Sequence, residues 1–330
     1  MLENRRESKY DTGVKAIIAL AVLFLPGAAW ASFQDIPKSV KAEALGGAFV
    51  ALADDPSSSF INPAGLVNMH SLQGSLMYGK PLYGVNDLDI SEGYMALGLP
   101  LGNRAAAGLQ ADIYKAVGLV SEYQLGGGFG LLATPKLAVG CTASYLYHNY
   151  DIGHDPAYSG QSVFASGTSK GAVGVHLGVL MFLTPKLQFG ASAINLNKPD
   201  IGLVVPDIVP RELKFGALYR LPYAELLAEV EQRDDTATKT NNWKLGVEVP
   251  LPRVALRAGV NDHALTAGFG LQLGSFGVDY AFHMLKTVSA SNSGSQFLSV
   301  SYRMKSFSEV QPDKLQKHQP PDAPVIIDDY

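Results

Sequence analysis

The chain has 330 residues, of which 47% are hydrophobic and 17% charged, with a net charge of −4 and a mean hydropathy of +0.09. That balance gives no basic field for nucleic acid, and charge this sparse falls below the ~25% of ordinary soluble domains. Beyond residue 31 no apolar run approaches the ~18–20 residues of a membrane helix, so a helical transporter is excluded, while one cysteine, Cys141, excludes a disulfide framework and a cysteine-based zinc site.

Arg5, Arg6, Lys9 and Lys15 precede the apolar stretch Ala16–Leu25, followed by Pro26-Gly27 and Ala29-Trp30-Ala31. A basic start, a short apolar core, a helix breaker and an A-x-A site are the order of a secretory signal. Residues 1–31 are therefore expected to be removed, leaving a mature chain that begins at Ser32 outside the cytoplasm.

Residues 32–70 precede the first strand and are too few to fold alone. Lys41 to Ala53 reads as one short helix of small residues, ended by Asp54-Asp55-Pro56-Ser57, and Asn62-Pro63-Ala64-Gly65 reads as a tight turn. A small-residue helix ahead of a roomy barrel is expected to be a plug, or hatch, in the lumen.

From Ser71 the pattern changes to period two. Trp243, Leu245, Val247 and Val249 alternate with Asn242, Lys244, Gly246 and Glu248; Leu265, Ala267, Phe269 and Leu271 alternate with Thr266, Gly268 and Gly270. Successive strand side chains face opposite ways, so each such strand has one oily side and one wet side. The reading gives fourteen strands near 71–79, 91–100, 104–113, 122–133, 137–148, 169–183, 187–197, 211–221, 223–233, 241–249, 253–261, 264–274, 276–286 and 294–304. Each is close to the ~9–11 residues that a tilted strand needs to cross a bilayer. Short turns such as Thr134-Pro135-Lys136 and Thr184-Pro185-Lys186 alternate with longer segments at 80–90, 114–121, 149–168, 198–210, 234–240 and 287–293, with Asp262-His263 as the exception. Short periplasmic turns and longer external loops mark outer-membrane barrels, and that rhythm puts both termini in the periplasm. A soluble sandwich would need two domains for so many strands, yet no linker divides 71–304. The expected fold is an all-β, 14-stranded antiparallel transmembrane barrel closed on itself in lipid, with the N-terminal plug inside.

The wet face carries Arg104, Gln110, Asp112, Glu122, Gln124, Glu212, Lys214, Arg220, Glu225, Glu229, Glu231, Lys244, Glu248, Arg253, Arg257, Asp279, His283 and Arg303. Acids gather on the strand at 223–233 and bases follow on the next two, so Glu225, Glu229 and Glu248 are placed to pair with Lys244, Arg253 and Arg257 across the wall. Such a set forms either an ion-pair ladder that stiffens the interior or a polar conduit. Inward glycines, among them Gly108, Gly126, Gly128, Gly130, Gly140, Gly190, Gly246 and Gly268, leave room for something in the lumen. Tyr78, Tyr94, Tyr145, Tyr219, Trp243 and Tyr302 suit interfacial girdles. His148, His154, Asp151 and Asp155 are read as solvated residues of the longest external loop rather than metal ligands. Residues 305–330, with Pro312, Pro320, Pro321 and Pro324, read as a disordered periplasmic tail, either a plain extension or a docking strip for a periplasmic partner.

No GxSxG elbow, HExxH, Walker loop or dinucleotide fingerprint stands in its required context, so neither an enzyme nor a cofactor is expected. The glycine run Gly126–Gly130 lies in a strand pattern without a following helix and does not suit phosphate.

Ala44 to Leu66 reads A-L-G-G-A-F-V-A-L-A-D-D-x-S-x-x-x-x-N-P-A-G-L. This segment resembles the FadL/PorV superfamily of outer-membrane barrels, the long-chain fatty-acid transporter type. The resemblance implies a lumenal hatch with Gly46, Gly47, Asp54, Asp55, Asn62, Pro63 and Gly65 as hatch positions, and passage of hydrophobic molecules. The partners so implied are membrane lipid and a hydrophobic small-molecule ligand, in the outer membrane of a Gram-negative cell. The compact barrel, with small external loops, also looks like the PorV/PorQ branch, some of whose members serve protein secretion or surface attachment. That alternative implies a secretion partner instead of a ligand. A general hydrophilic porin is a third reading, against which the plug signature argues.

Overall fold

The computed structural model describes residues 33, 38–81, 89–151, 161–165, 167–234, 239–286 and 294–304. The segments read from the sequence as an export signal, 1–31, and as a periplasmic tail, 305–330, lie outside the described residues, as do His154 and Asp155.

Among the described residues, fourteen strands alternate in direction around one wall: β1 Gln73–Lys80, β2 Ile90–Pro100, β3 Ala105–Ala116, β4 Val120–Thr134, β5 Leu137–Tyr150, β6 Ser169–Phe182 and β7 Leu187–Ile194 form one half. The other half is β8 Arg211–Arg220, β9 Glu225–Asp234, β10 Lys239–Pro250, β11 Val254–Asn261, β12 Ala264–Leu273, β13 Phe276–Leu285 and β14 Ser295–Arg303. Each pairs antiparallel with its neighbours in the chain, and β1 closes on β14 from Gln73↔Arg303 to Lys80↔Gln296. Closure leaves no edge strand with unpaired backbone groups.

Alternation decides what faces where. Leu76, Leu109, Leu125, Val173, Phe215, Val230, Leu245 and Leu298 are exposed on the outer surface, as is Cys141. Gln110, Asp112, Glu122, Glu229 and Glu248 are buried on the inner one. This inversion of a soluble protein, apolar outside and charged inside, suits a wall bathed in hydrocarbon.

Several details depart from the sequence expectations. The segment at 114–121 is not a long loop: β3 and β4 extend until only residues 117–119 turn between them. Strand β7 ends at Ile194 rather than near 197, because Asn195 (φ 50°) and Lys198 (φ 48°) turn the chain through the left-handed region. The long-loop end of β6 therefore pairs with a loop: Leu196 N–H donates to Val175 O, and the Asn197 side-chain amide bonds the backbone of Val173 and Val175. His148 belongs to β5 and points inward, where Nδ1 lies 3.0 Å from Glu122 Oε1, so it is not a loop residue. Tyr94 is likewise buried inside instead of forming part of an outer girdle.

The pre-barrel segment lies within the cylinder. In place of one helix over Lys41 to Ala53, a single turn of helix, α1 (Val40–Ala44), is capped by Ser39 Oγ and stops before Gly46 and Gly47. Those glycines take φ of 71° and 84°, a conformation open to glycine and disfavoured for other residues. A Cβ on Gly46 would also come within 2.8 Å of Val260 N. A second short helix, α2 (Ser58–Ile61), follows Asp54-Asp55-Pro56-Ser57, which starts helix rather than only ending it. Asn62 then caps a 3₁₀ turn, Pro63–Asn68, by accepting from Ala64 N–H, in place of the simple tight turn expected.

Candidate functional site: the hatch and its seat

The hatch crosses the lumen from one wall to the other. Helix α1 packs on β11, β12, β13 and β14, whereas Pro63–Asn68 packs chiefly on β3, β4, β5 and β6. Residues between them lie along β7 to β10, where Val50 sits on Gly190 and Gly216.

The inward glycines are the seat. Leu66 and Ser59 rest on Gly108 and Gly128, Phe60 on Gly126, Pro63 on Gly140 and Gly178, Leu45 on Gly246 and Ala44 on Gly268. A methyl group at Gly140 would overlap the backbone of Pro63 and Ala64. The wall thus lacks side chains where the hatch backbone approaches, and the room seen in the sequence is filled by the chain itself.

Polar side chains of the wall hold the hatch backbone. Phe49 and Val50 N–H both donate to Oε2 of Glu229 at 2.9 Å, while Oε1 of the same carboxylate accepts from Lys244 Nζ at 3.1 Å. Gln188 Nε2 donates to Ala51 O at 2.6 Å, Thr142 Oγ1 to Ser59 O at 2.6 Å, Thr266 Oγ1 to Ala44 O at 3.1 Å and Asn261 Nδ2 to Gly46 O at 3.1 Å. Asn62 ties the hatch to itself and to the wall, donating to Val50 O at 2.7 Å and to Val179 O at 3.1 Å.

The charged side chains form two linked sets. Lys244 bridges Glu229 and Glu231, the latter at 2.6 Å, and Lys214 lies 2.8 Å from Glu212 and 3.5 Å from Glu231. Nearer the short-turn end, Arg257 spans Glu248 and Asp279, each at 2.5 Å. Lys41 of the hatch joins this set, 2.8 Å from Asp54 and 3.6 Å from Glu248. Glu225 pairs with Arg220 at 2.9 Å. Arg253 is a correction: together with Arg104 and Arg303 it stands exposed at the short-turn rim, because it occupies the turn before β11 rather than an inward strand position.

The hatch acids differ from one another. Burial would raise the Asp54 carboxyl, but Lys41 overcomes this and holds it below the usual carboxylate range. Burial, reinforced by the Asp54 charge alongside, pushes Asp55 up to about 6. Asp55 Oδ2 accepts from Ser39 Oγ at 2.8 Å and Oδ1 from Ser57 N–H at 2.9 Å. Gly65 packs against Ala53, and Gly47 lies under the aliphatic stem of Lys244.

Sequence reasoning put Glu225, Glu229, Lys244, Glu248 and Arg257 on the inner face and expected charges of neighbouring strands to pair; the register sets Lys244 opposite Glu229 and Arg257 opposite Glu248. That reasoning missed that Glu229 binds hatch amides 180 and 179 positions away, and that Lys38 reaches Asp112 at 2.7 Å and Gln124 at 2.8 Å. No local pattern encodes such partners.

Closed wall, apolar exterior, charged interior and seated N-terminal hatch together define a plugged fourteen-stranded barrel. No protein-family model matches the chain, and no curated protein matches it in sequence. Solved structures share its fold. The Ralstonia pickettii toluene transporter TbuX superposes with a TM-score of 0.60 at 14% identity, covering 80% of this chain and 97% of that one. A Pseudomonas aeruginosa FadL homologue gives 0.56 at 12% identity, covering 81% and 98%. The Pseudomonas putida toluene transporter TodX gives 0.54 at 12% identity, covering 79% and 96%. The chain has the fold of the FadL-type barrels.

Proposed function

We propose that this protein is an outer-membrane channel admitting hydrophobic small molecules, with both termini periplasmic and the hatch as its gate. Long-chain fatty acids are the ligand class implied by the sequence resemblance, and toluene is the cargo named for two of the structural neighbours. The observation that carries the reading is the seat: hydrogen bonds, ion pairs and glycine contacts hold the hatch against the wall, and all of them are reversible. The cavity among Lys41, Asp54, Arg257 and Asp279 measures about 140 Å³ and is polar. Small-molecule pockets run to roughly 300–1,000 Å³, so passage requires the hatch to move. A ligand shifts that equilibrium only by binding the displaced state more tightly than the closed one.

A disulfide lock tests the gate. A Cβ built on Gly216 lies 3.7 Å from Ala51 Cβ, within the span a disulfide needs. Ala51→Cys with Gly216→Cys, in a Cys141→Ser background and with Val50→Ala clearing the methyl at 2.6 Å, joins hatch to wall. Intact cells carrying the oxidised protein are expected to take up radiolabelled toluene or oleate across their outer membrane more slowly than cells carrying the reduced protein, and reductant to restore the rate. Uptake indifferent to the lock would overturn the gate.

The packed lumen also favours a second reading, a PorV/PorQ-like scaffold in secretion or surface attachment. On that reading removal of 305–330 abolishes partner recruitment, whereas on the first it leaves uptake unchanged.

A further inference from the structure

The short-turn rim carries charge that the hatch and its seat do not use. The β4–β5 and β6–β7 connections are the same turn built twice: Thr134 Oγ1 accepts from Lys136 N–H and Thr184 Oγ1 from Lys186 N–H, each at 3.2 Å. A hydroxyl that bonds the backbone two residues on fixes the turn, and each of these turns ends on a lysine. Arg104 ends the β2–β3 connection in the same way, and Arg253 the β10–β11 connection. Their carbonyls share one role. Those of Arg104, Lys136, Lys186 and Arg253 accept from Leu132, Phe182, Arg220 and Gln272 of the next strand, at 2.7, 2.9, 2.8 and 2.8 Å. Each base therefore stands one residue before its strand, at an equivalent place on the rim.

All four side chains are exposed, and no short turn, at 101–104, 135–136, 183–186, 221–224, 251–253 or 274–275, contains an acid. Among the described residues none of the four makes an ion pair, whereas at the opposite end Lys80 meets Asp89 at 2.7 Å, Lys170 meets Asp200 at 3.1 Å and Lys198 meets Asp234 at 2.9 Å. The Arg104 guanidinium is laid toward the Lys136 turn, with Nε on Leu132 O at 3.2 Å and Nη2 on Ala133 O at 3.0 Å. Its other N–H groups remain for the oxygens of an anion.

What adjoins the bases selects that anion. Leu101, Leu131, Leu183 and Leu251 are exposed immediately beside them, at the edge of the apolar outer surface. An occupant that satisfies both brings a negative head on an apolar body. Consecutive short turns are two strand spacings apart, roughly 10 Å, so the bases are spread along the rim. That spread suits a row of lipids better than one acidic protein face. We propose that Arg104, Lys136, Lys186 and Arg253 form a belt that binds the phosphodiester headgroups of an anionic phospholipid, phosphatidylglycerol. A zwitterionic headgroup fits the belt less well, because its ammonium meets four bases and no acid. The belt needs only the membrane-spanning barrel, and neither the gate nor the cargo enters. With the termini periplasmic, the leaflet concerned is the inner one.

The test is native mass spectrometry of the full-length, detergent-solubilised protein titrated with dioleoyl phosphatidylglycerol or dioleoyl phosphatidylcholine, whose tails are the same. Wild type is expected to bind the first more tightly. Lys136→Gln and Lys186→Gln are each expected to weaken phosphatidylglycerol about fivefold, and with Arg104→Gln about a hundredfold together, leaving phosphatidylcholine unchanged. Lys136→Arg with Lys186→Arg should keep the preference. Lys115→Gln, Lys239→Gln and Lys286→Gln remove as much charge from the opposite end and should keep it too. Heat-modifiable gel migration shows whether each variant is a closed barrel; should the triple variant fail to close, the single lysine variants carry the same comparison. Equal binding of the two lipids by wild type, binding indifferent to the rim lysines, or an equal loss in the opposite-end variant would each overturn the belt.

Discussion

The two ends of the hatch are held by different physics. The first, from Ser39 to Gly47 with Asp54 and Asp55 beside it, buries Val40, Ala44 and Leu45 and adds polar and charged contacts: Lys41 lies between Asp54 and Glu248 of the wall, and His283 Nε2 stands 3.1 Å from Glu43. The second, Ser58–Asn68, has no charged side chain, buries Phe60, Ile61 and Leu66, and runs directly into β1. Charge contacts depend on pH and salt and come apart one by one, whereas apolar packing on glycine is lost only as a unit. The difference implies that release starts at the charged end and that the apolar end is the hinge side. Glu229, clasping Phe49 and Val50, lies between the two.

The largest effect is expected from breaking that middle clasp. Glu229→Ala leaves two hatch amides without acceptors and Lys244 with one fewer carboxylate, a loss of about 3–5 kcal/mol, at the lower end because Glu231 still faces Lys244. Amide exchange at Phe49 and Val50 should accelerate roughly a hundredfold or more, while amides of Pro63–Asn68 change little. Equal acceleration at both ends would mean that the hatch moves as one body.

A smaller and opposite pattern is expected from Gly140→Ala. The new methyl group meets the backbone of Pro63 and Ala64, and overpacking of this kind costs about 1–3 kcal/mol. Exchange should rise at Ala64 and Gly65 and stay close to wild type around Lys41. A neutral outcome would show that the apolar end tolerates displacement and is no hinge.

The smallest effect is that of pH on the charged end. Asp55 is raised from 3.8 to about 6 in the seated hatch, so seating takes up a proton between those values. The seat is firmer below about 6 and loosens as pH rises through it. Asp54, lowered by Lys41, acts in the other sense: its contribution is complete above 3.8 and is lost as pH falls through its lowered value. Hatch release, followed by amide exchange at Lys41 to Gly47, should therefore be rarest between these limits. Asp55→Asn should flatten the upper limb and hold the hatch more firmly at pH 7. An unchanged upper limb would remove Asp55 from the comparison.

The wall was legible in the chain because side-chain direction in a strand is a local property. Leu245 next to Lys244 says which face is oily without knowledge of any other strand, and all fourteen strands follow from that alternation. The cross-strand pair Arg257 with Glu248 follows nearly as directly, since the short turn between β10 and β11 sets its register, whereas Lys244 meets Glu229 across the longer β9–β10 connection. The hatch was legible only as a segment. Its expected helix over Lys41 to Ala53 gave way at Gly46 and Gly47, where close approach to Val260 and Leu245 overrides the helical tendency of alanine and leucine.

By itself, the order of residues determined a closed sheet with an apolar exterior, a charged interior and a small-residue piece left over at the front. The tertiary structure alone decided that this piece crosses the lumen, that Glu229 holds two of its amides and that Phe33 N–H meets the Glu122 carboxylate. Those partners lie 89 to 180 positions apart, and which distant groups meet inside a cylinder is fixed by how the whole wall closes, not by any repeating pattern along the chain.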